Sequence, residues 1–521
     1  MITTLPDCID NSAQLHPQNV AFRCGEQQIT YEQLQVKANQ LAQHLVQSGV
    51  KKGDRVGIFM NRCLETAIAI YGILKSGAAY VPIDPNSPKS RTLFLLENCD
   101  IKILITVEKQ KKRIHKLLET PTSLTQIIGV STECNIAHIS WSDLFCTSID
   151  QYKPIQLDQN DLAYIMYTSG STGAPKGIMH THKSGLAYAK LSANLYGLQV
   201  NDKVANHAPL HFDISTFGYF SAPYSGATTI IIPDAHTNLP ASLAALIAAE
   251  KISVWYSVPL ALSQLVLSEV LDNYDFSALR WVLFGGENFP LKYLYQLMKK
   301  WPLASYSNVY GPAEVNQCTY YNFDASVPIE KLIPIGKVWK QTDYKIIDEN
   351  DQEIFDDTAG QLVIHSTTMM KGYWNNEALT QKSIYTTQTS NSAAKSFYRT
   401  GDLVKRNQLD QLIFLGRKDR QVKVRGYRIE LDEVEAVLNN HSAIKEATVC
   451  KLQNKDNIAT IHAAVILVIG AEIPVNTLIT YCRTHLPSYA VPERLDILES
   501  FPRTGSGKID LTRIKETLIA L

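Results

Sequence analysis

The 521-residue sequence lacks the marks of several protein classes. Its 50 basic and 50 acidic residues leave no net charge, which argues against a nucleic-acid coat or a polybasic membrane binder. It has no run of about 18 apolar residues, so we expect no transmembrane helix. The first residues contain no basic stretch followed by an apolar core, and we therefore expect no secretory signal.

Cysteine is scarce and scattered along the chain. The nine cysteines are odd in number and none is spaced as CxxC. This pattern disfavours a zinc site or a disulfide framework and predicts a protein of the reducing cytoplasm. The hydrophobic fraction of 45% is enough to bury sizeable cores. The length predicts about three or four domain-sized units, or one large domain with a small one.

Helical and strand-like segments alternate in the first half of the chain. Leu34, Ala38, Leu41 and Leu45 recur on one helical face, and Gly49 follows as a helix end. Short apolar runs bounded by turn residues read as strands; they are DRVGIFM, AAYVPI, LAYIMYT, TTIIIP, SVWYSV and RWVLFG. This alternation predicts an α/β fold with crossover helices.

The composition changes towards the end of the chain, and we place a domain boundary near residue 416. A large domain would cover residues 1–416 and a small α+β domain residues 417–521. In the small domain, IELDEVEAVLNN and VNTLITYCRTHL read as helices, whereas ATVCKL and IHAAVILVI read as strands. Before the boundary, the polar segment TTQTSNSAAKS predicts a mobile surface loop.

The segment LAYIMYTSGSTGAPKGIMH carries a strand into a loop suited to phosphate. Glycines let backbone N–H groups approach a phosphate closely, and hydroxyls and a lysine add donors and charge. The candidate phosphate ligands are Thr168, Ser169, Gly170, Ser171, Thr172, Gly173 and Lys176. The loop does not match the Walker A pattern. Composition alone leaves phosphate binding and a flexible surface loop as equal alternatives.

YTSGSTGAPKG resembles the phosphate-loop motif of the adenylate-forming superfamily, which includes acyl-CoA synthetases, luciferases and adenylation domains of nonribosomal peptide synthetases. Other stretches resemble further motifs in the family's order: LKSGAAYVPIDP, HFDIST, NVYGPAE, YRTGDL, GRKDRQVKVRGYRIELDEVE and PRTGSGKID. The resemblance implies a large N-terminal domain of layered α/β subdomains plus a β-barrel-like subdomain, and a small mobile α+β C-terminal domain. We expect a free-standing adenylation enzyme.

The resemblance implies a two-step reaction. A carboxylate attacks the α-phosphorus of ATP, which gives an acyl-adenylate and pyrophosphate, and the phosphopantetheine thiol of a carrier protein then displaces AMP. Because the first step concentrates negative charge around phosphorus, it needs cations and aimed hydrogen-bond donors. ATP and Mg²⁺ are therefore the expected cofactors. The expected partners are a carrier protein and an amino acid, without nucleic acid or membrane, and the protein would be a monomer or weak dimer.

Three catalytic residues follow from the resemblance. Lys508 would bridge the substrate carboxylate and the α-phosphate, for which a lysine on a glycine-rich loop is suited. Glu314 would bind magnesium, which needs only one or two carboxylates beside the nucleotide phosphates. Thr168 would act from the phosphate loop. Position alone leaves a solvated loop lysine and a glutamate at a helix N-terminus as the alternatives.

The matched motifs also imply a nucleotide site. Tyr310 would stack on adenine and Asn308 would bond its edge, while Asp402 would accept both ribose hydroxyls and Arg417 would add a contact. The site would also include Gly286, Glu287 and Gly311. Asp419 matches the family's hinge position, and the region from Lys423 to Gly426 would line the second step. His180 and His182 form an HxH pair that we assign to packing or the surface, without a metal.

Asp213, in PLHFDISTF, decides the class of substrate. The resemblance implies that it pairs with an α-ammonium group, and a helix N-cap is the alternative. The matched pocket positions are Ile214, Phe217, Tyr256, Leu283, Gly285, Val309, Gln317 and Cys318, with Lys508 reaching the substrate carboxylate. No pocket position except Lys508 carries a charge, which favours a small apolar amino acid.

This lining is similar to that of free-standing enzymes that load L-proline onto a carrier, including the cyanobacterial anatoxin route. Gly285 and Gln317 match those enzymes least. D-alanine or another small amino acid stays open, because one methylene is worth only about 1–3 kcal/mol in such a pocket. An acyl- or aryl-CoA ligase, in which Asp213 is structural, and a nucleotide-binding regulator without catalysis are the further alternatives.

Overall fold

The computed structural model describes residues 2–131, 136–146, 148, 153–170, 174–324, 332–389, 392–454, 458–504 and 509–520. The chain divides into two compact units. The first unit contains Met1–Pro85, Leu95–Tyr167 and Gly177–Lys418. The second unit contains Asn86–Phe94, Thr168–Lys176 and Asp419–Leu521. Two short segments from the first half of the chain thus belong to the unit that contains the C-terminal region.

The described elements are helices and strands in mixed order. The helices are α1 (Pro6–Leu15), α2 (Tyr31–Gln47), α3 (Glu65–Lys75), α4 (Lys89–Asn98), α5 (Lys111–Leu118), α6 (Trp141–Phe145), α7 (His182–Leu195), α8 (Ala222–Tyr224), α9 (Asp234–Thr237), α10 (Pro240–Ala249), α11 (Pro259–Leu267), α12 (Leu291–Lys300), α13 (Glu377–Lys382), α14 (Leu431–Asn439), α15 (Val475–His485) and α16 (Leu511–Ala520). A π-helical turn, Phe217–Ser221, precedes α8.

The first strands are β1 (Val20–Cys24), β2 (Gln27–Thr30), β3 (Arg55–Phe59), β4 (Ala79–Pro82), β5 (Ile103–Thr106), β6 (Gln126–Ile128), β7 (Ala137–Ile139), β8 (Leu162–Thr168), β9 (Lys176–Thr181), β10 (Lys203–Asn206), β11 (Thr228–Ile231), β12 (Val254–Ser257), β13 (Trp281–Gly285) and β14 (Ser305–Tyr310). The later strands are β15 (Thr319–Asn322), β16 (Lys337–Val338), β17 (Thr342–Ile347), β18 (Gly360–Ser366), β19 (Gly372–Tyr373), β20 (Ile384–Thr389), β21 (Ser392–Arg406), β22 (Leu412–Arg417), β23 (Gln421–Val424), β24 (Tyr427–Glu430), β25 (Ile444–Gln453), β26 (Ala459–Leu467) and β27 (Arg494–Ile497).

Two large sheets organise the first unit. One has nine strands in the order β16-β15-β14-β13-β12-β10-β11-β1-β2, with parallel pairing from β14 to β1 and antiparallel strands at both edges. The other has eight strands in the order β19-β9-β8-β4-β3-β5-β6-β7. Parallel neighbours need crossover connections, which the helices supply. The predicted α/β fold is confirmed.

Helix α2 forms where the sequence periodicity predicts it. Leu34, Ala38, Leu41 and Leu45 are all fully buried, and Thr30 caps the helix in a capping box. Helix α3 is buried on nearly every side, because its sequence is apolar all round. Both helices share one core with side chains of the two large sheets, so they lie between these sheets.

The third sheet of the first unit corrects one prediction. Strands β17, β18, β21 and β20 form an antiparallel sheet, with β22 added on β21, in the region where a β-barrel-like subdomain is expected. The segment TTQTSNSAAKS is predicted as a mobile loop, but its described residues lie in the paired strands β20 and β21, where Thr386 pairs with Ser396 and Thr387 with Lys395. The prediction is wrong because threonine fits strands well and cross-strand pairing satisfies the backbone of a polar segment.

The second unit has its own α+β core. Strands β25 and β26 pair antiparallel, β27 runs parallel to β26, and α14 and α15 bury Val434, Leu438 and Leu478 against this sheet. The predicted helices and strands of this region are confirmed. A separate hairpin, β23–β24, turns through Arg425 and Gly426, whose φ angles of 54° and 80° suit a type I′ turn.

Membrane-spanning helices, disulfides and metal-binding clusters can be examined within the described residues. None of their helices is both long and apolar enough to cross a membrane. The eight cysteines whose positions the structure describes are all free thiols. Within the same ranges, no cluster of three or more His, Cys, Asp or Glu side chains is arranged to hold a metal ion.

Candidate active site

The carboxyl ends of three parallel strands lie side by side in the nine-stranded sheet. Strand β12 ends at Ser257, β13 at Gly285 and β14 at Tyr310. In α/β sheets, ligands bind beyond this edge of the strands, because the loops that leave it carry the functional side chains. Several predicted nucleotide and substrate residues lie on these strand ends or just after them, among them Tyr256, Gly285 and Tyr310.

Asp402, Tyr310 and Arg417 come together although they belong to three separate motifs. Asp402 and Arg417 are cross-strand partners on β21 and β22. Arg417 Nη1 donates to Asp402 Oδ1 at 2.6 Å, and the Tyr310 hydroxyl donates to Asp402 Oδ2. The side chains of Asp402 and Arg417 are only 7% and 12% exposed. The predicted ribose acid is therefore a buried carboxylate held by one cation and one hydroxyl.

Four other predicted nucleotide residues lie at or just beyond the ends of β13 and β14; they are Gly286, Glu287, Asn308 and Gly311. The Asn308 amide donates to the Pro334 carbonyl at 2.8 Å. Glu287 Oε1 accepts from the Leu260 backbone N–H at 3.2 Å, in the first turn of α11, and Gly286 precedes it with a φ of 96°. Gly311 must be glycine, because a Cβ there would lie 1.7 Å from the Asn316 carbonyl oxygen.

Glu314 is fully buried beyond the end of β14. The Tyr373 hydroxyl donates to its Oε1 at 2.7 Å, and its backbone carbonyl accepts from Met370 N at 2.7 Å. A single carboxylate of this kind fits magnesium, which takes oxygen ligands and keeps water and nucleotide phosphates as the others. The sequence analysis did not single out Tyr373, because it lies 59 residues away and in no recognised motif.

His180 and His182 are packing residues of the first unit. His180 is buried, with Nε2 2.9 Å from the Ala313 carbonyl and its ring stacked on Tyr164. Burial lowers the pKa of His180 to about 4 and that of His182 to about 4. His182 Nδ1 accepts from the Leu5 backbone N–H at 3.3 Å. Both imidazoles are therefore neutral at pH 7.

The described part of the phosphate loop belongs to the second unit. Thr168 ends β8, and its hydroxyl is buried without a hydrogen-bond partner among the described residues. The Ser169 hydroxyl donates to the Arg428 carbonyl at 2.8 Å and accepts from Glu430 N at 3.3 Å. Gly170 follows, and Lys176 begins β9. The remaining predicted ligands lie outside the described residues; they are Ser171, Thr172, Gly173 and Lys508.

Most of the predicted amino-acid pocket forms one buried apolar cluster. Phe217, Tyr256, Leu283 and Val309 pack together, and Ile214 packs against them. Phe217 meets the Tyr256 ring edge-on at 5.6 Å between centroids. Phe217 comes from a π-helical turn, Ile214 precedes it, and the other three come from neighbouring strands, so the structure brings together residues up to 95 positions apart in sequence.

The last three pocket positions differ in their contacts. The Gln317 amide donates to the Tyr256 hydroxyl. Gly285 must be glycine, since a Cβ there would lie 2.2 Å from the Val309 carbonyl oxygen. Cys318 packs in a different buried cluster, with Tyr310, and its Sγ lies 3.6 Å from the Tyr310 carbonyl. The structure therefore joins Gln317 to the pocket cluster directly and places the Cys318 side chain outside it.

Asp213 lies in a turn just before the π-helical segment. Its Oδ1 accepts from the Ile214 backbone N–H at 2.9 Å, and its carbonyl accepts from the Thr216 hydroxyl at 2.5 Å. Burial and the Asp213 charge raise the pKa of Tyr256 and of Tyr164 far above the ordinary value. Ile214, the residue after Asp213, packs against the cluster that contains Tyr256.

Two aromatic residues that the sequence analysis did not single out belong to the same cluster. Tyr188, on α7, and Trp339 are both buried and stack with 5.9 Å between ring centroids. Tyr188 reads as an ordinary core position of an amphipathic helix, and Trp339 lies in no recognised motif. No local signal in the sequence marks either residue.

The two units divide two residues after the predicted domain boundary at residue 416. The first unit ends at Lys418 and the long C-terminal segment of the second begins at Asp419. Asp419 Oδ1 accepts from Gln421 N at 3.2 Å, in the turn that leads into β23.

Comparison with known families matches most of the chain. The description "AMP-binding enzyme" fits residues 9–374, and "AMP-binding enzyme C-terminal domain" fits residues 433–508. The chain therefore belongs to the AMP-binding enzyme family, and it is an AMP-forming ligase.

Two relatives illustrate the range of the family. An L-proline--[L-prolyl-carrier protein] ligase of Streptomyces coelicolor is 32% identical over 97% of this chain and 94% of its own length. Tyrocidine synthase 2 of Brevibacillus parabrevis is 33% identical over 98% of this chain, but the chain spans only 13% of that protein. The chain thus resembles both a protein of its own size and one part of a much longer protein.

A solved structure gives the same fold. The amide bond synthetase McbA from Marinactinospora thermotolerans superposes with a TM-score of 0.88 and covers 99% of each chain at 20% identity. At that identity the likeness supports the fold of the whole chain and nothing finer. The predicted adenylate-forming fold is confirmed.

Proposed function

We propose that this ligase activates an amino acid, with L-proline preferred, as the aminoacyl-adenylate and transfers it to the phosphopantetheine thiol of a carrier protein. The reaction would serve natural-product biosynthesis in the cytoplasm. The observation that carries the proposal is a carboxylate, Asp213, whose chain neighbour Ile214 packs against a buried cluster of uncharged side chains that contains most of the expected pocket positions.

The charge pattern favours an amino acid over a plain acid. An ammonium about 4 Å from the Asp213 carboxylate is worth roughly 4 kcal/mol at an effective dielectric constant of 20. A fatty or aryl acid offers no such cation, so it gains none of this attraction. The uncharged lining then selects an apolar side chain.

The large rings among the expected pocket positions favour a small apolar side chain such as that of proline. Phe217 and Tyr256 occupy the cluster with large rings, and Gln317 bonds to Tyr256, which limits the space. The Streptomyces relative, whose name states L-proline as its substrate, matches the chain over nearly its full length. D-alanine and other small amino acids are the alternatives that the same pocket would admit.

The nucleotide residues would act in the first step. Asp402 would accept the ribose hydroxyls while Arg417 holds its carboxylate in place, and Tyr310 would cover adenine. Glu314, oriented by Tyr373, would hold a magnesium ion, which neutralises phosphate charge. Lys508 would bring a cation to the substrate carboxylate and the α-phosphate.

The domain division belongs to the proposal as well. We assign residues 1–416 to ATP and substrate binding and residues 417–521 to a mobile domain, with Asp419 as the hinge. Asp419 is a turn residue at the start of the long C-terminal segment of the second unit, and such a residue is suited to absorb a backbone rotation. The rotation would exchange Lys508 for the region from Lys423 to Gly426 between the two steps.

The test is amino-acid-dependent exchange of pyrophosphate into ATP. A panel would contain L-proline, D-alanine, L-alanine, L-valine, glycine, benzoate and a fatty acid. We expect L-proline to give the highest kcat/KM, and Asp213→Asn, which keeps the shape of the side chain but removes its charge, to raise the KM for the amino acid. Exchange with plain acids but not with amino acids would reject the proposal.

A further inference from the structure

Among the described residues, nothing pairs with the buried hydroxyl of Tyr188. Tyr188 is fully buried on α7, and its hydroxyl has no hydrogen-bond partner within the described part of the chain. The neighbouring Thr216 hydroxyl donates instead to the Asp213 carbonyl. Because a buried hydroxyl without a partner is unfavourable, phenylalanine would fit this position better if the side chain served only to fill the core.

The position of Tyr188 relates this hydroxyl to the amino-acid pocket. Its ring packs in the same cluster as Phe217 and Tyr256, and its stacking on Trp339, with an interplanar angle of 12°, fixes the ring plane. Burial, Tyr256 and the Asp213 charge together raise the pKa of Tyr188 far above its ordinary value. Ile214, the residue after Asp213, packs against this same cluster, so Tyr188 belongs to the group of side chains next to the residue that would receive the substrate ammonium.

The chemistry of the ammonium group supplies the missing partner. A tyrosine hydroxyl both donates and accepts a hydrogen bond, so it can donate towards the carboxylate side and still accept from a cation. The secondary ammonium of proline carries two N–H groups and a primary ammonium carries three, so one acceptor at Asp213 leaves at least one N–H group unpaired.

We propose that Tyr188 is a further substrate-binding residue, whose hydroxyl oxygen accepts a hydrogen bond from the amino group that pairs with Asp213. This proposal rests on the proposed amino-acid ligase function. Tyr188 would thereby help to select substrates that carry an α-amino group.

The test compares Tyr188→Phe with the wild-type enzyme in pyrophosphate exchange, using the best amino acid of the panel. A hydrogen bond to a charged group corresponds to about a 10- to 100-fold change in binding, so we expect the KM for the amino acid to rise by about that factor. The KM for ATP should stay unchanged. The melting temperature should stay the same or rise, because an unpaired buried hydroxyl is removed.

A matched control is Tyr31→Phe. Tyr31 is equally buried, but its hydroxyl donates to the Ala227 carbonyl at 2.6 Å in a different core cluster. We expect this variant to melt at a lower temperature with an unchanged KM for the amino acid. An equal rise of that KM in both variants would overturn the proposal, because the effect would then come from a general loss of packing.

The failure of this proposal differs from the failure of the proposed function. An unchanged amino-acid KM in Tyr188→Phe, with an active wild-type enzyme, would overturn only the role of Tyr188. No amino-acid-dependent exchange in the wild-type enzyme would overturn both.

Discussion

Replacing Arg417 by methionine should destabilise the first unit, because the buried Asp402 carboxylate then loses its positively charged partner. Arg417 Nη1 contacts Asp402 Oδ1 at 2.6 Å, and the two side chains are 12% and 7% exposed. Two charges about 4 Å apart attract by roughly 4 kcal/mol at an effective dielectric constant of 20. Breaking a buried pair by removing one partner costs about 3–5 kcal/mol, so we expect a loss of that size in the free energy of unfolding.

A double-mutant cycle measures the interaction energy between Asp402 and Arg417 separately from the other effects of the two substitutions. Asp402→Asn together with Arg417→Met leaves no charge at this place, while the asparagine oxygen still accepts from Tyr310. The double variant should therefore be more stable than the sum of the two single losses predicts, with a coupling energy of about 2–3 kcal/mol.

The measurement is urea unfolding followed by tryptophan fluorescence for the wild type, both single variants and the double variant. The reasoning is refuted if Arg417→Met loses less than about 1 kcal/mol, the range of exposed ion pairs, or if the two single effects add in the double variant.

Three further changes test other parts of the site. Glu314→Gln should keep the fold, since its oxygen still accepts from Tyr373, but should lower pyrophosphate exchange about 100-fold at fixed magnesium. Lys508→Ala should lower adenylation by about two orders of magnitude or more. Burial and the Arg62 charge lower the pKa of His207 to about 3. The stability linked to this imidazole is therefore complete above its unfolded pKa of about 6.5, and it is lost as the pH falls towards 3. We expect His207→Phe to reduce the slope of the free energy of unfolding against pH in this range by about 1.4 kcal/mol per pH unit.

Each of these predictions has an outcome that contradicts it. Unchanged exchange in Glu314→Gln would remove the magnesium role, and unchanged exchange in Lys508→Ala would remove the catalytic cation. The same slope of stability against pH in His207→Phe as in the wild type would show that this imidazole accepts a proton in the folded protein.

Periodicity predicts elements well where one face of a segment is buried throughout. Helix α2 follows its apolar face, and β8, β12 and β13 follow short apolar runs between turn residues. The polar part of the β20–β21 hairpin has no such pattern, because Thr386 and Thr387 are held by pairing with Ser396 and Lys395. A sequence pattern records burial along one segment, and it does not record pairing between two polar segments.

The sequence by itself determined which chemical groups the protein has and in which order they occur, because each motif is a local pattern. Only the tertiary structure decided which groups meet: Tyr310 reaches Asp402 across 92 positions, Tyr373 reaches Glu314 across 59, and Tyr188, which lies in no motif, packs in one cluster with Phe217 and Tyr256. The physical reason is that side chains at adjacent strand ends become neighbours through sheet register and helix packing, and those contacts depend on segments far apart in the chain.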